Sequence, residues 1–377
     1  MGSYARLMQQ EITTLELSPD QQTAFDTITK WIGIGGSQEL SMGGYAGTGK
    51  TTLLKKIIGK NDEHVKVMSL TGKAVSVLIK KGMDAATIHS TIYRVHLDEK
   101  KKPVFTLRDY LDESTELFII DEASMVSTDL YTDLLSFAIP ILWVGDHGQL
   151  EPIGKNPGVM KDPDIRLEKI HRQAAENPVI MFCDKLRRGA HPTAIADVKD
   201  EEFVHVRKKT QLNDSLFDEV NQIIVAFNRT RVKINILVRK HRSLDIEKPV
   251  VGDRVVCLKN RRQEGLFNGL QGVIKAVSSR SDKPSYFACI TLDNGREWQG
   301  EILSKQFNHV KGLVDVDPAL WRATHWDYAY AITCHKAQGS EWPHVLVIEE
   351  GGGKLWSMAR WRYTAATRSQ EKLTYAC

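Results

Sequence analysis

The chain has 377 residues, with 51 basic and 47 acidic side chains and a formal net charge of +4. At roughly 150 residues per domain, this length predicts two or three domains. A composition of 42% hydrophobic and 26% charged residues fits an ordinary globular protein and excludes disordered, collagen-like and low-complexity scaffolds. No apolar run approaches the roughly 18 residues that span a bilayer, so no membrane partner is expected. The N-terminal MGSYARLMQQEITTLELSPDQQ has no apolar core of the signal-peptide kind, which predicts a cytoplasmic location. The five cysteines (Cys183, Cys257, Cys289, Cys334 and Cys377) are dispersed and form no CxxC pair, arguing against a disulfide framework and a zinc site. The net charge is too small to establish a nucleic-acid partner. Basic clusters such as Lys100–Lys102, Arg207–Lys209, Arg239–Arg242 and Arg261–Arg262 are more often solvated faces than phosphate contacts.

From about Glu39 to Val144, short apolar runs alternate with helical stretches. Val65–Leu70, Leu117–Ile120 and Ile141–Val144 read as strands, and Lys50–Ile58, Gly72–Ile79 and Thr128–Phe137 as helices between them. This alternation predicts βαβ crossovers and a parallel, doubly wound α/β sheet. Between Tyr93 and Ser114 the pattern breaks into a polar LDEKKKP segment followed by VFTLRDYL, a small excursion from the sheet. A second α/β pattern begins near Leu167, with Ile223–Phe227 as a strand. Residues 229–242 are ambiguous, because Ile234–Val238 has strand propensity while its charged flanks suit a helix. Between Pro249 and about Arg322, short β runs separated by turn signals predict a small all-β barrel inserted into the second sheet. Strand-like segments return at Tyr328–Thr333 and His344–Ile348, and the chain closes on Lys372–Ala376.

GYAGTGKT at 44–51 fits the phosphate-loop pattern GxxxxGK[ST]. Its glycines let backbone N–H groups close around phosphate oxygens at the positive end of the following helix. The predicted ATP contacts are Gly44, Ala46, Gly47, Thr48, Gly49, Lys50, Thr51 and Thr52. Lys50 would meet the β and γ phosphates, and Thr51 would ligate Mg²⁺. Downstream, the apolar run Leu117–Ile120 ends in two adjacent carboxylates. There Asp121 can hold Mg²⁺ and Glu122 can polarise the attacking water. A third strand ends in GDHGQL, where the Gln149 amide can hydrogen-bond the γ-phosphate and report its loss. Together these motifs predict NTP hydrolysis, which many phosphate-loop classes share.

The ordered series GYAGTGKT, DEAS and GDHGQL resembles superfamily 1 helicases, specifically the 5′→3′ group that includes RecD-like enzymes and the compact phage Dda type. The resemblance extends over nearly the whole chain. It implies that Gln21, in LSPDQQTAF, reads the adenine, and that Thr71, Lys73 and His89, in LTGKA and TIHS, line a single-strand path. Leu70 replaces the family's usual proline before Thr71, which weakens the assignment of individual DNA contacts there. Downstream, LEKIHRQ resembles the segment carrying a phosphate-sensing arginine, here Arg172. YAITCHKAQGSE resembles motif V, placing Thr333, His335 and Lys336 on DNA and Gly339 and Glu341 near ATP. YTAATR resembles motif VI, with Arg368 as the arginine finger. The resemblance also favours a helix for 229–242.

The architecture implied is two RecA-like parallel-sheet domains in tandem: residues 1–165 with a pin insertion at about 92–113, and 166–248 with 326–377. An SH3-like β insertion would occupy 249–325. The pin would fall within His96–Leu111, with Phe105 as a candidate wedge, while Trp321 and Trp326 are candidates for base stacking or core packing. The implied substrates are ATP with Mg²⁺, single-stranded DNA and duplex bearing a 5′ tail. The implied setting is a monomeric motor in bacterial or phage-infected cytosol, with single-strand-binding or replisome proteins as candidate partners. Two other readings stay open: a single-strand translocase, remodeller or RNA-directed helicase, and a nucleotide-gated switch ATPase.

Overall fold

The computed structural model describes residues 17–59, 62–97, 103–151, 157–170, 176–195, 202–261, 264–279, 284–315, 320, 322–351 and 356–377. The chain divides into two compact units, Met1–Ile180 and Met181–Cys377.

The first unit is built on a six-stranded parallel sheet. Its strands are β1 (Glu39–Gly44), β2 (Val65–Ser69), β3 (Ala85–Thr87), β6 (Leu117–Asp121), β7 (Ile141–Gly145) and β8 (Ile165–Leu167), in the order β3-β2-β6-β7-β1-β8. Parallel strands covered on both faces read as continuous apolar runs rather than alternating ones. Accordingly, Leu117–Ile120 and Ile141–Val144 are almost entirely inaccessible to solvent. Alternate residues of these strands feed opposite faces. Leu117, Ile119, Leu142 and Val144 pack with α1 (Pro19–Ile34) and α2 (Lys50–Ile58). Phe118, Ile120, Ile141 and Trp143 pack instead with α4 (Ile88–Ile92) and α5 (Thr128–Leu135). A further helix, α3 (Gly72–Lys80), links β2 to β3.

Helix α1 starts where the sequence signals it should. The Ser18 hydroxyl accepts from the Gln21 amide, the Gln21 side chain accepts from the Ser18 amide, and Pro19 occupies the first turn. It ends at Gly35, whose left-handed backbone (φ 67°) returns an N–H to Trp31. The expected excursion is a two-stranded antiparallel hairpin, β4 (Tyr93–Leu97) with β5 (Pro103–Leu107), in which Val95 faces Phe105. Lys100–Lys102 lie outside the described residues.

The second unit carries a five-stranded parallel sheet whose strand order is Ala331–Thr333, Gln222–Val225, Trp342–Ile348, Ser369–Ala376, Val204–Arg207. Its strands are β9 (Val204–Arg207), β10 (Gln222–Val225), β16 (Ala331–Thr333), β17 (Trp342–Ile348) and β18 (Ser369–Ala376). Its described helices are α6 (Pro178–Arg187), α7 (Leu216–Glu219), α8 (Asn228–His241), α9 (Cys334–Ala337) and α10 (Met358–Ala366). Between β10 and β16 the chain forms an antiparallel sheet, β14-β13-β12-β11-β15, from β11 (Arg254–Cys257), β12 (Gln271–Ser279), β13 (Ser285–Leu292), β14 (Glu297–Leu303) and β15 (Trp326–Tyr328). A bridge between Ile302 and Thr324 brings the β14 edge against the chain entering β15.

One detail differs from the sequence reading, and one ambiguity is resolved as the family resemblance implied, in favour of a helix. Tyr328–Thr333 is not one strand, because Trp326–Tyr328 pairs with β11 while Ala331–Thr333 pairs with β10 in the parallel sheet. Residues 228–241 are helical, and α8 buries polar side chains at four-residue spacing: Arg231, Asn235 and Arg239. Each has a partner from the inserted sheet or its return. Arg231 pairs with Asp327, Asn235 bonds backbone groups of Tyr328 and Ala331, and Arg239 pairs with Asp253 while lying 4.0 Å over the Tyr328 ring. Asp253 also accepts from the Tyr330 hydroxyl at 2.8 Å and the Val250 amide at 2.7 Å. Removing one member of a buried ion pair strands the other charge. Asp253→Ala is therefore expected to destabilise the second unit by about 3–5 kcal/mol, read as a lower urea midpoint than that of wild type.

Candidate nucleotide and nucleic-acid site

The phosphate loop, the Asp121–Glu122 pair and Gln149 gather at the carboxyl ends of three adjacent strands. β1 pairs with β7 in parallel register, Gly43 opposite Gly145, and β7 pairs with β6. The phosphate loop therefore follows β1, the Asp121–Glu122 pair ends β6, and the GDHGQL turn follows β7, all on one edge. Such an edge is where open α/β sheets bind ligands.

The loop is shaped by hydrogen bonds and by missing side chains. The Lys50 ammonium donates to the Gly44 carbonyl at 2.6 Å and to that of Tyr45 at 3.0 Å, and the Thr48 hydroxyl donates to Tyr45 at 2.8 Å. Gly47 and Gly49 take left-handed backbone (φ 77° and 75°), a region that disfavours a Cβ. Gly49 stands immediately before α2, so the first-turn amides at Lys50, Thr51 and Thr52 project from a helix N-terminus. Gln21 is buried and donates from its amide to the Thr48 and Gly49 carbonyls at 3.4 and 3.3 Å, tying α1 to the loop.

Glu122 is one of four described non-glycine residues with positive φ (55°). Its left-handed backbone costs roughly 1–2 kcal/mol and turns the chain sharply after β6 into the short helical turn Ala123–Met125. In the next loop, buried Asp146 accepts from the Gly148 amide at 2.9 Å and from the Gln149 side chain at 3.2 Å. The Gln149 amide oxygen is buried without a partner among the described residues.

The sequence motifs did not single out Tyr45 or His147, although both lie inside them. Their rings stand 4.2 Å apart, joining the phosphate loop to the GDHGQL turn. Burial holds the His147 imidazole below its usual pKa, against the opposing pull of Asp146. The Lys81 ammonium, 3.5 Å from the Thr51 hydroxyl, is a purely tertiary neighbour with no motif to announce it.

Among the remaining first-unit candidates, Thr71 caps α3 by accepting from the Ala74 amide, and Lys73 lies in that helix's first turn. His89 sits on α4 with its ring 5.7 Å from that of Tyr93. Phe105 is 43% exposed on the hairpin. Arg172, with its neighbours His171 and Gln173, lies outside the described residues.

In the second unit, Thr333 precedes the short helix α9, which carries His335 and Lys336. The Lys336 ammonium donates to the Asn268 side chain of the inserted sheet's loop at 3.0 Å, and burial lowers its pKa. Burial also lowers the His335 pKa, leaving that imidazole neutral around neutral pH, beside the Trp356 ring at 6.0 Å. Gly339 adopts left-handed backbone (φ 69°), and Glu341 accepts from Gln370 at 3.0 Å. Arg368 is buried and donates to the Thr364 carbonyl at 3.1 Å, the Ser340 carbonyl at 3.3 Å and the Thr367 hydroxyl at 3.0 Å. Trp326 is fully buried against Trp298, which makes it core rather than a stacking platform, and Trp321 lies outside the described residues.

Comparison with known proteins places these features in a lineage. A family model described as an AAA domain matches residues 16–209, and one described as a UvrD-like helicase C-terminal domain matches residues 328–374. The chain is 26% identical over 393 residues to the ATP-dependent RecD2 DNA helicase of Deinococcus radiodurans, covering 94% of this chain and 48% of that protein. It is also 26% identical over 349 residues to the ATP-dependent DNA helicase dda of phage T4, covering 83% of this chain and 73% of that one. The chain thus spans about half the length of the Deinococcus relative, and 32% of a conjugal transfer protein TraA from Rhizobium radiobacter. A crystal structure of Bacteroides Pif1 bound to single-stranded DNA superposes with a TM-score of 0.59 at 21% identity, covering 96% of this chain and 92% of that one. That likeness establishes the fold.

The close approach at the base of the loop gives a test. A Cβ on Gly43 would stand 2.5 Å from Pro163 Cγ and 2.7 Å from His147 Nδ1. Gly43→Ala is expected to lower stability by about 1–3 kcal/mol, the usual cost of overpacking, and to weaken binding of a fluorescent ATP analogue. Thermal denaturation and fluorescence titration measure the two effects.

Proposed function

The chain belongs to the AAA-domain family and to the superfamily 1 helicases of the 5′→3′ RecD, Dda and Pif1 type, and from that premise we propose that it is an ATP-driven motor that moves 5′→3′ along single-stranded DNA and opens duplex ahead of it. The observation carrying this reading is the adjacency of β6, β7 and β1, which presents the phosphate loop, the Asp121–Glu122 pair and the Gln149 turn on one sheet edge.

Phosphoryl transfer needs positioned charge around a loosely bonded γ-phosphoryl group. On this reading, the amides from Gly44 through Thr52 surround the phosphates and Lys50 exchanges its loop carbonyls for phosphate oxygens. Gln21 stands at the adenine end. Thr51 and Asp121 would hold Mg²⁺, which supplies Lewis-acid stabilisation of phosphate charge. A hydroxyl and one carboxylate suit an ion that keeps water and phosphate among its ligands. Glu122 orients the attacking water, while Gln149, fixed by Asp146, contacts the γ-phosphate. Arg172 and Arg368 supply guanidinium charge, with Gly339 and Glu341 contributing near the nucleotide. Arg368 is held within its own unit by three neutral oxygens, which use three of its five N–H donors.

Thr71, Lys73 and His89 in one unit, and Thr333, His335 and Lys336 in the other, would grip the DNA backbone. Neutral His335 would do so by hydrogen bonding rather than charge. Phe105 stands as the candidate wedge.

Strand displacement on duplexes bearing a 5′ or a 3′ single-stranded tail tests the proposal. Displacement from the 5′-tailed duplex alone is the expected result. Displacement from neither, with hydrolysis still stimulated by single strands, replaces the helicase with a translocase or remodeller. Arg368→Ala is expected to lower the single-strand-stimulated kcat by about 10³-fold or more, the scale of an arginine finger, with nucleotide affinity retained. Unchanged hydrolysis removes Arg368 from the chemistry.

A further inference from the structure

The β4–β5 hairpin is a two-stranded ribbon, and an isolated ribbon of that kind is marginally stable and takes its direction from its root. At the root, the Arg108 amide donates to the Ile92 carbonyl at 2.8 Å, and Ile92 is fully buried. Tyr93, the first residue of β4, packs with Leu107 against the core on the α4–α5 face of the first sheet. Its hydroxyl donates a hydrogen bond to the Asp133 carboxylate on α5. The sequence between Tyr93 and Asp133 includes the whole hairpin and β6, so this contact clasps the ribbon to the body of the first unit.

The Tyr93 ring also stands between two residues of the proposed nucleic-acid path. One helical turn back, the His89 ring lies 5.7 Å away. Across the hairpin, Tyr93 faces Leu107, so Phe105 is its diagonal neighbour on the same face. The Phe105 ring meets Tyr93 edge-on, with centroids 6.5 Å apart. His89, Tyr93 and Phe105 therefore form one aromatic row, and the middle ring is bonded to α5.

We propose that Tyr93, held by Asp133, is the positioning residue that fixes the hairpin and its aromatic row relative to the motor body, so that movement along the single strand is delivered to the duplex junction. The inference rests on the helicase reading above. It assigns Tyr93 and Asp133 no contact with ATP and no part in hydrolysis. Their role is coupling: a ribbon loose at its root yields when it meets the duplex, and ATP is then consumed without strand opening.

The test compares the 5′-tailed unwinding rate, the single-strand-stimulated ATPase rate and single-strand affinity in wild type, Tyr93→Phe, Asp133→Ala and Asp133→Asn. Tyr93→Phe keeps the ring and removes only the donor. It is expected to lower unwinding roughly tenfold, the scale of one hydrogen bond to a charged group, while ATPase rate and DNA affinity stay at wild-type values. Asp133→Ala should reproduce that loss, the double variant should be no worse than either single one, and Asp133→Asn, which keeps an acceptor, should recover most of the unwinding. If Tyr93→Phe unwinds at the wild-type rate, or if unwinding and ATPase fall together, the coupling role is overturned while the helicase reading stands. If wild type hydrolyses ATP on single strands but displaces neither tailed duplex, both readings fall.

Discussion

The Lys50 ammonium, seated on the Gly44 and Tyr45 carbonyls, is the interaction on which the first unit's site depends. A cation must be solvated or paired, and here the loop's own backbone partners it. The lysine thereby draws the chain back over the end of β1 into the curve a polyphosphate requires. Closing that curve needs glycine at Gly47 and Gly49, where φ is positive, and at Gly44, where a Cβ would stand 2.7 Å from the Thr48 hydroxyl. The same geometry lets Gln21 reach the Thr48 and Gly49 carbonyls from α1. Nucleotide binding is then an exchange of acceptors around a preformed loop, which limits the ordering cost of binding.

In the second unit, a buried polar seam does comparable organising work. Arg231, Asn235 and Arg239 project from one face of α8, where an ordinary amphipathic helix would place leucine or valine. Their partners, Asp327, the Tyr328 and Ala331 backbone, and Asp253, lie at the entry to and return from the inserted antiparallel sheet. A seam of specific pairs fixes the register of helix and sheet, because a shifted helix would strand several buried polar groups at once. Burial pushes the Asp327 carboxyl pKa up even beside Arg231, which is the electrostatic cost of placing the pair so deep. From this organised region emerge Thr333, His335 and Lys336, the last bonded to Asn268 of the inserted sheet's loop. Of the residues proposed to hold DNA, Lys336 is thus tied to the insertion by a direct hydrogen bond.

The two units treat their proposed working groups differently. In the first, the backbone of Glu122 is held in a left-handed conformation and Gln149 is held by Asp146, so both are set before any ligand arrives. Strain of this kind at a strand end is a frequent mark of a site that must be preorganised. In the second, Arg368 is held by the Thr364, Ser340 and Thr367 oxygens through three of its five N–H donors. That side chain is thus oriented by neutral oxygens of its own unit rather than by backbone strain or a carboxylate.

The sequence by itself determined the phosphate loop, the Asp121–Glu122 strand end, the GDHGQL turn and the parallel sheet that carries them. Phosphate binding is executed by contiguous backbone, so its residues are contiguous in the chain, and strands buried on both faces announce themselves as unbroken apolar runs. Tertiary structure alone decided features whose partners are remote. Residues 228–241 read ambiguously because the buried face of α8 is polar, and Asp253, Asp327 and Ala331, which make that face tolerable, lie outside the helix, the last two far downstream. The apparent strand Tyr328–Thr333 divides between two sheets because β11 and β10 claim its two ends. Trp326 proved to be core because Trp298 packs against it, and Tyr93 became a clasp because α5 brings Asp133 to its hydroxyl. Local pattern records what a segment can form, whereas these outcomes depended on which distant group met each side chain after folding.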